Sequence, residues 1–178
     1  EERAKGTAKG DHFAASGAND RIWNALQKHC LRDPAGYATY FANPAIAAAS
    51  TAWLGPHYQM TAQVNQVRPG GKAQRAHRDY HLGFQTAETA ASYPVHVHDL
   101  TAALTLQGAI AHCDMPVDSG PTKLLPFSQR YAPGYTAFHQ TGHSDFFEEH
   151  YIQLPLEKGD AVFFSPELFH AAGENRSR

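Results

Sequence analysis

Apolar positions in the first third of the chain recur at helical spacing. Ile22, Trp23, Leu26 and Cys30 fall three to four residues apart, on one face of a helix. Asn19 or Asp20, both good N-cap residues, is expected to open it. Asp33-Pro34 and Asn43-Pro44 repeat one device: a capping side chain, then proline at the first helical position. Each predicts a short helix. The first carries Tyr37, Tyr40 and Phe41. The second is alanine-rich, carries Ile46, Trp53 and Leu54, and ends at Gly55-Pro56.

The period then changes to two. From Tyr58 to Val67, Tyr58, Met60, Ala62 and Val64 alternate with Gln59, Thr61, Gln63 and Asn65, which predicts a strand with one apolar and one polar face. Arg68-Pro69-Gly70-Gly71-Lys72 reads as a turn. A second strand is predicted from Thr101 to His112. Leu104, Leu106 and Ile110 lie on one face, and Thr105, Gln107, Ala109 and Ala111 on the other. Asp118-Ser119-Gly120-Pro121 is a turn before the short run Lys123 to Pro126. Tyr151 to Leu156 alternates again, and Glu157-Lys158-Gly159-Asp160 turns the chain into Ala161-Val162-Phe163-Phe164. Helices first and short, turn-punctuated strands afterwards predict an α+β protein, mainly β, whose body is a β-sandwich or barrel. Residues 127–150 are rich in aromatics without clean periodicity and are expected to form a long ordered loop or lid. Residues 1–18 read as a flexible leader, which leaves 19–178 as one domain.

Composition narrows the function classes. The 178 residues carry 15 Lys+Arg against 17 Asp+Glu, a formal net charge of -2, so no basic excess marks a nucleic-acid or anionic-membrane partner. No stretch approaches the ~18 apolar residues of a membrane span. Two cysteines, Cys30 and Cys113, are too few for a disulfide framework, and a reducing cytoplasm is the expected compartment. Twelve histidines invite a search for metal ligands.

His77-Arg78-Asp79 is the sharpest local signal. Residues i and i+2 of an extended segment share a face, so His77 and Asp79 can grip one metal side by side. His170 follows the Ala161–Phe164 run and the turn-like Ser165-Pro166-Glu167. Two histidines and one carboxylate make the facial triad of non-heme iron oxygenases, with three positions left open. His77, Asp79 and His170 are therefore the expected metal ligands and catalytic centre. His81 is expected either to line the same pocket or to be a packed or surface residue. His96 and His98 have metal-like H-x-H spacing in an irregular context. His112-Cys113 reads as a buried structural pair, and His139, His143 and His150 as solvated residues of the lid. Neither a G-x-S-x-G nucleophile frame nor a phosphate loop is present.

His77-Arg78-Asp79-Tyr80-His81, Asp118-Ser119-Gly120-Pro121 with Leu125-Pro126-Phe127-Ser128, and Lys158-Gly159-Asp160-Ala161-Val162-Phe163-Phe164 with His170-Ala171-Ala172-Gly173-Glu174-Asn175 resemble the phytanoyl-CoA dioxygenase family, over about residues 58–178. The resemblance implies a double-stranded β-helix (jelly roll) with the N-terminal helices packed outside. It implies an Fe(II)- and 2-oxoglutarate-dependent dioxygenase that hydroxylates a small organic substrate with O2, releasing succinate and CO2. An aspartate at position 79, rather than a small residue, implies hydroxylation over halogenation. Asn65 matches a co-substrate-contacting position of the family, with Gln63 two residues earlier on the same face. Gln107 can reach co-substrate or substrate, or pack in the core. The family's co-substrate arginine lies about eleven residues past the distal histidine, where its planar fork suits a carboxylate. This chain stops eight residues past His170, so the sequence is expected to lack the last strands, and Arg178 is the available candidate. Lys72, Arg75 and Arg78 are either a basic mouth for a CoA thioester or a solvated turn. The alternatives to an oxygenase are a cupin-like metal-dependent isomerase or lyase, and an inactive metal-binding module. Substrate identity and oligomeric state stay open at this level.

Overall fold

The computed structural model describes residues 19–79, 87–94, 105–130 and 142–178. They fall into two compact units that divide between Lys72 and Ala73, with the terminal Arg178 grouped with the first.

In the first unit, β1 (Asn19–Ile22) pairs antiparallel with β2 (Val64–Val67). Between them run α1 (Ala25–Arg32), α2 (Pro34–Phe41) and α3 (Pro44–Leu54). Both predicted caps are present: Asp33 accepts a hydrogen bond from Gly36 N–H and Asn43 one from Ala45 N–H, with proline next in each case. The start of the first helix is corrected. Asn19 and Asp20 do not cap it; they belong to β1, and α1 begins at Ala25 behind Asn24. Four residues are too few to display a period, and β1 is defined by a partner more than forty residues downstream. The β2 ladder is likewise shorter than the predicted Tyr58–Val67 strand, because β1 offers only four residues to pair with.

The second unit holds α4 (Ala87–Ala91), β3 (Gln107–Ile110), β4 (Lys123–Leu124), α5 (His143–His150), β5 (Ile152–Gln153), β6 (Ala161–Phe164) and β7 (His170–Ala171). β3 and β6 pair antiparallel, Gln107 opposite Phe164 and Ile110 opposite Ala161. A three-stranded antiparallel sheet runs β5-β4-β7. On the open edge of β7, His77 forms a further antiparallel bridge to His170. Gly120, at φ 81°, sits in the left-handed region that glycine tolerates. A Cβ there would lie 2.7 Å from Gly173 O, so this turn needs glycine twice over to let residues 173–174 pass.

Alternation across this sheet separates two environments. Ala76, Phe169 and Ala171, flanking the two bridged histidines, point into a core with Leu125 and Phe147, against which Tyr151 packs. Phe147 comes from α5, so this end of the expected lid is anchored in the core. Residues 131–141, its centre, lie outside the described residues, as do the 1–18 leader, His81, His96, His98 and His139. The α+β class stands: the described residues mix α-helices with short strands. Among the described residues no helix is long and apolar enough to cross a membrane.

Candidate metal centre

The His77–His170 bridge builds the site. Each residue donates its N–H to the other's carbonyl, at 3.0 and 2.8 Å. Residues directly opposite in such a pair project side chains to the same face of the sheet. Asp79, two residues beyond His77, is on that face too. Its own N–H is fixed at 2.7 Å on Pro166 O, which ties the end of the H-x-D segment to the turn before β7. The outcome is one cluster from two distant stretches of sequence. Each of the three residues offers a ligand atom, and these atoms lie within 4.8 Å of one another.

The imidazoles are oriented from behind. His77 Nδ1 lies 2.9 Å from Arg75 O, and His170 Nδ1 lies 2.8 Å from Leu168 O. A carbonyl only accepts, so both Nδ1 atoms carry a proton and both Nε2 atoms are turned into the site. The rings stand 4.6 Å apart, and Phe164 of β6 packs edge-on to His170 at 5.0 Å. The Asp79 oxygens lie 3.7 Å from His77 Nε2 and 3.5 Å from His170 Nε2. Burial raises the Asp79 pKa, but His170, His77 and the Gln107 amide outweigh it and bring it down to about 2. The carboxylate is therefore ionised at neutral pH. Two imidazoles and one carboxylate on one face fit a divalent iron.

The remaining expectations divide. Gln107 enters the site, though toward a protein group: its Nε2 donates to Asp79 Oδ2 at 3.0 Å. Gln63 and Asn65 belong to the first unit, where both are exposed. Asn65 there accepts a hydrogen bond from Arg21 Nε at 2.9 Å. Arg178 is exposed. Arg78 is corrected: it belongs to no basic mouth, because alternation turns it to the core face. There it is buried, stacks 4.2 Å over the Phe169 ring and donates to Ser128 O. Lys72 and Arg75 are exposed. His112 and Cys113 are also exposed rather than a buried pair. Sequence reasoning missed Ser128, whose Oγ donates to Leu125 O and accepts from Phe169 N–H beside His170. The carbonyls of Arg75, Leu168 and Pro166 were also missed, since a backbone oxygen leaves no side-chain signature.

The family model for phytanoyl-CoA dioxygenases matches residues 1–178. The chain belongs to the phytanoyl-CoA dioxygenase family. That family comprises Fe(II)- and 2-oxoglutarate-dependent oxygenases, a cofactor set that the His77–Asp79–His170 cluster suits. Among curated relatives, the chain is 25% identical over 123 residues to dioxygenase trt7 of Aspergillus terreus, covering 69% of this chain and 37% of that protein. It is 28% identical over 122 residues to the multifunctional dioxygenase ausE of Emericella nidulans, covering 68% and 38%. The chain thus spans well under half the length of the curated relatives it matches. Among solved structures, SnoK, a non-heme alpha ketoglutarate dependent carbocyclase from nogalamycin biosynthesis, superposes with TM-score 0.64 at 20% identity, covering 98% of this chain and 65% of SnoK. The epimerase SnoN, solved with Fe3+, alpha ketoglutarate and a nogalamycin compound, gives TM-score 0.58 at 20% identity, covering 98% and 66%. At this identity the likeness is one of fold. This phytanoyl-CoA dioxygenase family chain shares its fold with an alpha ketoglutarate dependent carbocyclase and with an epimerase solved with alpha ketoglutarate bound.

Proposed function

We propose that this chain is the metal-binding part of a 2-oxoglutarate-dependent dioxygenase of the double-stranded β-helix type, with 19–178 as one oxygenase domain. His77 Nε2, Asp79 and His170 Nε2 would hold Fe(II). The observation that carries the reading is the backbone-paired His77–His170 bridge, with Asp79 on the same face and both Nδ1 protons tied to carbonyls. Bound there, iron supplies the oxidation: 2-oxoglutarate and O2 are converted to succinate and CO2, and one oxygen atom goes to a small organic substrate. The chain's own part would be to aim both Nε2 atoms and the Asp79 carboxylate at one point and to leave the remaining positions to co-substrate and O2. Phe164, packed on His170, keeps one wall of the site apolar. Gln63, Asn65 and Arg178 remain co-substrate candidates on the family pattern alone. Asp79 as a carboxylate ligand favours hydroxylation over halogenation. The epimerase and carbocyclase among the structural relatives favour a second reading, in which the same site ends in rearrangement of the substrate. A cytoplasmic placement accords with the free Cys30 and Cys113.

Succinate release from 2-oxoglutarate by the full chain tests the proposal. Release that requires Fe(II) and O2 is expected from the wild type, falling to background in His77→Ala and His170→Ala with folding kept. Near-normal turnover in either variant, or none in the wild type, overturns it.

A further inference from the structure

The three clustered side chains are not equally constrained. The His77 and His170 side chains are 7% and 6% exposed, locked by packing and by the backbone bridge. The Asp79 side chain is 30% exposed and lacks that packing. Its two oxygens face the same space, Oδ1 toward His77 and Oδ2 toward His170. A carboxylate so placed can grip a metal through one oxygen or through both. The difference matters to the chemistry. Three protein atoms leave three open positions for a chelating co-substrate and O2, whereas a two-oxygen grip leaves only two.

Gln107 breaks this symmetry. It lies on β3 directly opposite Phe164 of β6, the residue packed on His170, so the β3–β6 pair delivers both side chains to the site together. Its Nε2 is 3.0 Å from Oδ2. An ionised carboxylate has only acceptors, so the amide must present its NH2 to Asp79. We propose that Gln107 is a positioning residue that holds Asp79 as a one-oxygen metal ligand, occupying Oδ2 and leaving Oδ1 for the metal. This rests on the reading of the triad as a metal site. Gln107 thereby preserves the third open position without touching metal or co-substrate.

Anaerobic titration of the full chain with Co(II), followed by calorimetry and visible absorption, tests this. Gln107→Leu is expected to weaken Co(II) binding about 10–100-fold, the range for removing a partner behind a ligand. It should also change the visible spectrum. Gln107→Met, closer in length and flexibility, should do the same. It decides the matter if the leucine variant does not fold. In the wild-type Co(II) complex itself, the carboxylate stretches in the infrared should show one-oxygen ligation. A folded variant with wild-type affinity and spectrum, or two-oxygen ligation in the wild type, overturns the role of Gln107 and leaves the triad reading intact. Absence of Co(II) binding by the wild type overturns both.

Discussion

Asp79 carries the negative charge of the site where burial alone would disfavour it. Burial raises its pKa, and His170, His77 and Gln107 overcome that and lower it from 3.8 to about 2. A carboxyl depressed in the folded state contributes stability above its unfolded pKa and loses it as pH falls through the folded one. In metal-free protein, the melting-temperature gap between wild type and Asp79→Asn should therefore narrow as pH falls from about 4 toward 2. A gap that stays constant across that window would show that the carboxylate gains nothing from its neighbours. His77 and Asp79 were legible in the sequence because alternation follows from the backbone, whatever the rest of the chain does. The same alternation implies that Arg78 faces away from them. Only the fold shows that it meets Phe169 there. The bond from Gln107 to Asp79 spans 28 residues of sequence and two separate elements, so no local pattern announces it.

Local chemistry also explains which elements could be read. The α2 and α3 starts are set by a side chain and a proline within three residues, and both occur as expected. β1 is set by pairing across most of the first unit and reads locally as a helix start. α5 was hidden for a related reason: its place depends on two tertiary contacts, Phe147 in the core and an ion pair to β4. In that pair Lys123 Nζ lies 2.6 Å from Glu148 Oε2 and 4.2 Å over the Tyr151 ring. The Lys123 side chain is 10% exposed and that of Glu148 54%, so the two partners are not equivalent. Removing the carboxylate strands an ammonium in a poorly hydrated place, whereas removing the ammonium leaves a carboxylate that water can solvate. Glu148→Gln should thus destabilise the protein more than Lys123→Met, in urea midpoints measured at neutral pH. The opposite order would mean that the ring and the pair contribute little to holding α5.

Across the whole molecule, the candidate ligands close a long span of chain. Asp79 and His170 are 91 residues apart in sequence, and the β7 edge and the Pro166 carbonyl help to bring them together. That arrangement exists in the folded state and not in the unfolded one, so a metal bound by all three residues must stabilise the fold. At a free concentration of 100 times its dissociation constant, the gain is about 2.7 kcal/mol. The second unit should therefore melt at a higher temperature with saturating Co(II) or Mn(II), and return to its metal-free value with a chelator. His170→Ala removes one of the two imidazoles, leaving His77 and Asp79 as neighbours on a single segment that needs no tertiary fold to sit close together. Its metal-induced shift should shrink to near zero, while its metal-free melting changes far less. Differential scanning calorimetry with and without metal on both proteins measures this. An undiminished shift in His170→Ala would mean that the stabilising ion sits on some other group of the chain.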